Sequence, residues 1–182
     1  MVSLISLWIP IVVAAAICWI AGSVVWMVLP HHKSDYAKVG GEDAARSALR
    51  GLAAGQYNIP YIADPSKISD EDKQKFADGP VAFLTVLENG FPNLAKNLVQ
   101  QFLFYLIVGT LVAYVAGAAL PAGTAYLKVF QVVGATAWLA YGFSTIQDSI
   151  WFGRPWSLSA KSAFDALIYA LLTAGVFGWL WP

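Results

Sequence analysis

Four long apolar runs, almost free of charge, alternate with polar segments of very unequal length. The runs extend from about Leu4 to Leu29, Leu98 to Leu120, Lys128 to Gln147 and Ala163 to Trp181. At 1.5 Å per residue, each can cross about 30 Å of hydrocarbon as a helix. Leu120-Pro121-Ala122-Gly123 specifies a tight turn, so the second and third runs form an antiparallel hairpin. The pattern predicts an all-α membrane protein with a four-transmembrane-helix bundle. Residues 1–30 carry the first transmembrane helix, 31–96 form a polar insert, and 97–182 hold the other three. Pro10 falls in the first two turns of its helix, where a missing amide donor costs little. No basic segment precedes Leu4, and the run exceeds a signal-peptide core, so the first helix is expected to be retained.

The insert has signals of its own. Glu42 to about Ala53 reads as a short amphipathic helix, with Glu42 and Arg46 paired and Ala45, Leu49 and Leu52 on one face. Ser69 followed by Asp70, Glu71 and Asp72 marks a capped helix start, with an end near Gly79-Pro80. Val81 to Leu87 is strand-like or interfacial, and Gln56 to Tyr61, aromatic with a proline, reads as an ordered loop. An insert this small has little core, so it is expected to be a partly folded cap leaning on the cytoplasmic membrane surface.

Composition sharpens the division. Hydrophobic residues make up 58% of the chain and charged residues 12%, too few to cover a soluble surface. Eight of the 11 Lys and Arg residues lie between Lys33 and Lys96, and nine of the 11 acids between Asp35 and Glu88. Zero net charge argues against a nucleic-acid partner. The single cysteine, Cys18, lies in an apolar run and reads as a small buried hydrophobe. Lys33, Lys38, Lys96, Arg154 and Lys161 flank the spans on one side, and Lys128 alone on the other. The positive-inside rule therefore places the insert in the cytoplasm and both termini outside. Trp8, Trp26, Trp151, Trp156, Trp179 and Trp181 sit near span ends as an aromatic belt, whereas Trp19 and Trp138 are mid-span.

Inside lipid, helices approach through small residues, and each span offers such residues at four-residue spacing. These are Ala14, Cys18 and Gly22; Gly109, Ala113 and Gly117; Thr136, Ala140 and Ser144; and Ala166, Ala170, Ala174 and Gly178. No ionisable residue falls in the middle of a span, which weighs against a proton-coupled pump. There is no phosphate loop, nucleophile elbow, His-Glu-Xaa-Xaa-His or Cys-Xaa-Xaa-Cys, and no internal repeat.

Candidate chemistry concentrates in His31-His32-Lys33-Ser34-Asp35-Tyr36, directly after the first span. Two imidazoles and a carboxylate could contribute to a metal site through His31, His32 and Asp35. Adjacent histidines in an extended chain point apart, however, and Lys33 opposes a cation, so an interfacial helix cap competes with the metal. A second constellation, Asp148 to Ser157, joins the third and fourth spans, where an Asp148–Arg154 salt bridge would pin the loop at headgroup depth. Asp165, four residues after Lys161, suits a helix N-terminus. In the functional version His31, His32, Asp35, Asp148 and Asp165 converge at the cytoplasmic mouth of the bundle and bind a cation or polar ligand. No organic cofactor is indicated, and a divalent metal is the one these residues could hold.

The stretches Met27 to Tyr36, Gly79-Pro80-Val81, Asp148 to Trp156, Asp165 to Tyr169 and Trp179 to Pro182 resemble a group of small uncharacterised bacterial four-helix integral membrane proteins. The resemblance implies a bacterial cytoplasmic-membrane protein and carries no activity with it. Three functions fit the residues: a non-catalytic assembly subunit that self-associates or joins a larger membrane complex, an oligomeric channel or small-solute carrier, and a metal- or ligand-binding protein using the His/Asp cluster. Assembly is the leading expectation, with the lipid bilayer and other subunits as partners.

Overall fold

The computed structural model describes all 182 residues, Met1–Pro182. They form two compact units, Met1–Asp35 with Asn93–Pro182, and Tyr36–Pro92. The first unit contains four helical stretches long and apolar enough to cross a membrane: Leu4–Met27, Leu94–Ala119, Tyr126–Trp151 and Trp156–Trp179.

The first stretch is a 3-10 turn, Leu4–Leu7, capped by Ser3 and continued by α1 (Trp8–Met27). Pro10 is buried in the first turn of α1, where no intrahelical donor is needed. In the second unit, α2 is Glu42–Leu49, β1 Gly55–Ile59, α3 Asp70–Asp78 and β2 Ala82–Val86. Helix α4 (Leu94–Ala119) starts four residues before the apolar run, because Asn93 accepts from the Lys96 amide and fixes the first turn. The third stretch is α5 (Tyr126–Gly142) and α6 (Ser144–Trp151), interrupted at Phe143. There the Thr145 hydroxyl donates to the Gly142 carbonyl at 2.8 Å, taking an acceptor from the helix ladder. Helix α7 (Trp156–Trp179) begins directly after Pro155, seven residues before the apolar run. Asp165 therefore lies about 2.5 turns inside α7 rather than at its N-terminus, and is 3% exposed. The expectation of spans without an interior ionisable group does not hold for α7.

The four stretches close a ring in which α1 contacts α4 and α7, and α5 contacts the same two. The α5–α7 pair is the most extensive, and small residues set its spacing. A Cβ on Gly142 would lie 2.7 Å from Ala166 Cβ, and one on Gly134 3.3 Å from Ala174 Cβ. One on Gly178 would lie 2.8 Å from the Tyr126 ring. These pairings run antiparallel: from Gly142 through Gly134 to Tyr126 on α5, and from Ala166 through Ala174 to Gly178 on α7. Of the small-residue seams, those of α1, α4 and α7 are turned inward: Ala14, Cys18, Gly22, Gly109, Ala113, Gly117, Ala166, Ala170 and Ala174 are all buried. The seam expected in the third span is not, since Ala140 and Ser144 are exposed and Val129, Val133 and Ala137 fill the core instead. The alanines of α7 in the same cluster leave room for valine, so α5 supplies the volume.

Backbone ties fasten one end of the bundle. Val2 donates to the Gly117 carbonyl at 2.9 Å, Gly123 to the Pro182 carbonyl at 2.7 Å, and the Trp181 indole to the Pro121 carbonyl at 3.0 Å. Trp19 and Trp138 each donate an indole N–H to a backbone carbonyl of a neighbouring helix, Leu98 at 2.9 Å and Ala163 at 3.1 Å. Outside, Ile20, Val99, Leu103, Ile107, Leu111 and Leu139 are exposed. Helices that are apolar all round yet buried on one side only call for lipid as solvent.

In the second unit, α2 forms but stops at Leu49, short of Ala53, and Arg46 faces Asp43 at 3.9 Å rather than Glu42. Helix α3 carries a capping box in which Ser69 and Asp72 satisfy each other's amides at 3.1 Å. Strands β1 and β2 pair antiparallel with Tyr57 opposite Leu84. Gln56 to Ile59 are thus strand rather than loop, because β2 alternates half-buried Ala82, Leu84 and Val86 with exposed Phe83 and Thr85 and offers a ladder. The chain is helical with one antiparallel strand pair, not all-α.

Replacing Gly142 by Val forces two helix backbones apart. It should lower stability in detergent by about 1–3 kcal/mol, while Gly40→Ala, which meets nothing within 4 Å, leaves the unfolding midpoint unchanged. The Ser69 hydroxyl and then its amide hold the Asp72 carboxyl below its ordinary range. A carboxyl depressed on folding stabilises α3 above its unfolded value of about 4, and that contribution fades as pH falls through the lowered folded value. Protection of the α3 amides should fall with acidification in the parent chain and be low at every pH in Asp72→Asn.

Candidate functional site

At the end of α1 the chain passes through extended Leu29 into a second 3-10 turn, Pro30–His32. Proline suits the first position of such a turn, having no amide to satisfy. Successive side chains of a 3-10 turn diverge by about 120°, and residues three apart eclipse. The expectation that the two histidines point apart nonetheless does not hold, because both rings turn toward the Asp165 carboxylate. Their ring centroids are 4.0 Å apart, and the His32 ring stacks on Trp26 at 3.8 Å with the planes 4° from parallel. Asp35, three residues after His32, falls beneath it, and its Oδ2 is 2.6 Å from His32 Nδ1.

Helix α7 supplies the other half. Asp165 Oδ2 lies 2.7 Å from His32 Nε2, and Asp165 Oδ1 lies 3.0 Å from His31 Nε2. Each oxygen of one carboxylate thus receives one imidazole. One turn earlier Lys161 spends its three donors on the turn itself: the Asp35 carboxylate at 2.6 Å, the His31 carbonyl at 2.5 Å and the Ser34 hydroxyl at 3.1 Å. The ammonium of Lys161 first, and His32 second, hold the Asp35 carboxyl below the usual carboxylate range. Lys161 and Asp165 stand four apart on one helix but do not pair; each reaches across to the turn after α1.

Proton counting defines the chemistry. An ionised carboxylate only accepts, and a neutral imidazole has one N–H to give. His32 meets a carboxylate at both ring nitrogens, so the triad Asp35–His32–Asp165 needs one proton more than neutral imidazole and two carboxylates provide. Either a proton or another cation must occupy that place. The ring is 9% exposed and Asp165 less, and buried charge is retained only when matched in this way.

Of the sequence candidates, His31, His32, Asp35 and Asp165 converge. Asp148 does not join them; it faces Arg154 at 3.8 Å, the loop salt bridge expected there, and Arg154 also donates to Ser162 at 3.0 Å. Lys33 is exposed. Lys161 and Trp26 were read from the sequence only as a flanking charge and a belt aromatic. Nothing local ties Lys161 to a turn 126 residues earlier, although its four-residue spacing from Asp165 places both on one helix face.

Replacing Lys161 by Met leaves Asp35 and the His31 carbonyl without their donor. Amide exchange over His32–Asp35 should quicken and the detergent unfolding midpoint fall, with exchange in α5 unaltered.

Comparison with protein-family models, with curated proteins and with solved structures gives no match for this chain.

Proposed function

We propose that this chain is a multi-pass protein of the bacterial cytoplasmic membrane, termini outside, that binds one divalent first-row cation through His31, His32 and Asp165. The observation that carries this reading is that His32 faces a carboxylate oxygen at each ring nitrogen, at 2.6 and 2.7 Å. A metal ion substitutes for a proton there without any new ligand. The donor atoms of His31, His32 and Asp165 lie within 4.8 Å of one another, so small side-chain rotations bring all three to the about 2.0–2.2 Å that a cation requires. Asp35 on the far nitrogen of His32 is the outer carboxylate that orients a metal-bound imidazole. Two nitrogens and one oxygen suit zinc, iron(II) or manganese(II), and three protein ligands leave room for water or a substrate.

Small-residue seams suit assembly between chains, but in α1, α4 and α7 they are used within one chain. Partners are therefore less strongly called for than lipid. Within the first unit, Lys33, Lys96, Arg154 and Lys161 flank the spans at the end that carries the cluster and Lys128 alone flanks the other, which supports a cytoplasmic site.

Full-length protein in nanodiscs, stripped with chelator and reloaded with zinc or cobalt(II), should retain about one ion per chain. His31→Ala, His32→Ala and Asp165→Asn should each abolish retention, and Asp35→Asn should weaken it by about 10–100-fold. Asp148→Asn should bind as the parent does. Folded parent protein that holds no more metal than the Asp165→Asn variant would overturn the proposal.

A further inference from the structure

Beside the cluster lies a cavity of about 450 Å³ between α1 and α4, floored by Tyr141 of α5 and Tyr169 of α7. Its walls are aromatic, with Trp19 and Trp26 from one side and Phe104 and Tyr105 from the other. Trp26 is shared, since it also stacks on His32. No charged residue lines the space, whose remaining polar groups are neutral, among them Asn97 and Gln101. Gln101 and Phe104 are exposed on the outer surface of α4, so the cavity opens sideways between two apolar helices.

The hydroxyl of Tyr169 has no hydrogen-bond partner, although the residue is only 8% exposed. Buried hydroxyls without partners are uncommon and costly. The hydroxyl of Tyr105, on a residue 3% exposed, converges with it on Gly22: a Cβ there would lie 2.8 Å from the Tyr105 oxygen and 3.5 Å from the Tyr169 oxygen. Glycine at position 22 is what leaves room for the Tyr105 hydroxyl in the cavity wall.

We propose that this cavity binds a lipid-soluble quinone, with a ring carbonyl accepting from Tyr169 and Tyr105. The unpartnered phenol asks for an acceptor, the absence of lining charge asks for a neutral one, and the indole and phenyl walls suit a flat ring. The volume falls within the range of small-molecule sites, and the lateral opening leaves an apolar tail in lipid. The binding step is independent of the metal proposed above.

The test uses full-length, metal-stripped protein in nanodiscs and two probes of one shape, menadione and 2-methylnaphthalene, which lacks the carbonyls. Binding is read by tryptophan quenching and calorimetry. The parent should bind menadione about 10-fold more tightly than the hydrocarbon, a difference that Tyr169→Phe removes. The same variant should unfold at the parent's temperature or above it when unliganded, since it deletes an unsatisfied buried group. His31→Ala should keep menadione binding, so loss of metal and loss of quinone are separable. Equal affinity for the two probes in the parent, unchanged preference in Tyr169→Phe, or displacement of menadione by a long-chain fatty acid at equal concentration would each overturn the proposal.

Discussion

Helices that share an apolar solvent have no hydrophobic reason to associate, so contact between them must come from close packing. In this chain the closest packing is between α5 and α7, where Gly142 meets Ala166 and Gly134 meets Ala174. A glycine facing an alanine admits almost no axial slip, because one residue of sliding puts a larger side chain into the same gap. The register of α7 is fixed by this match, and with it the height at which Lys161 and Asp165 stand. The His/Asp cluster is thus a consequence of helix packing as much as of its own hydrogen bonds.

The ring of four helices explains why the cluster forms at one end. The N-terminal residues, the α4–α5 turn and the C-terminus are tied together by Val2, Gly123 and Trp181. At the opposite end no such backbone knot exists, and side chains do the joining. Lys161 and Asp165 clasp the turn after α1 at five points. Buried pairs of this kind are weak sources of net stability but strict about geometry, since each lost partner strands a charge. The strictness gives the cluster one defined geometry rather than that of a flexible cap.

Charge and cavity are adjacent but chemically opposite. The cluster gathers two carboxylates, two imidazoles and an ammonium around one shared proton place, whereas the neighbouring space is aromatic, neutral and served by phenols. Trp26 divides them, one face on His32 and its ring in the cavity wall. A charged cluster and an apolar pocket that share a wall can influence one another through that ring.

Residue pattern alone determined that there are four spans, where the polar insert lies, the Ser69 cap and most of the packing seams, because each depends on neighbours within a few residues. Hydropathy over twenty positions, a capping serine or a glycine every fourth residue is local information. The histidine pair was visible for the same reason, but not its geometry, which rests on a 3-10 turn that Pro30 begins. Trp156 to Ser162 is less apolar than the rest of the span, so hydropathy starts α7 too late and puts Asp165 at a helix end. That Lys161 would bypass Asp165 for Asp35, that Asp148 would stay apart, and that α5 would present valines rather than Ala140 and Ser144, was decided only in three dimensions. Each depends on the rotation and height of one helix against another, and those are set by the fit of Gly134 and Gly142 to Ala174 and Ala166, which no single segment contains.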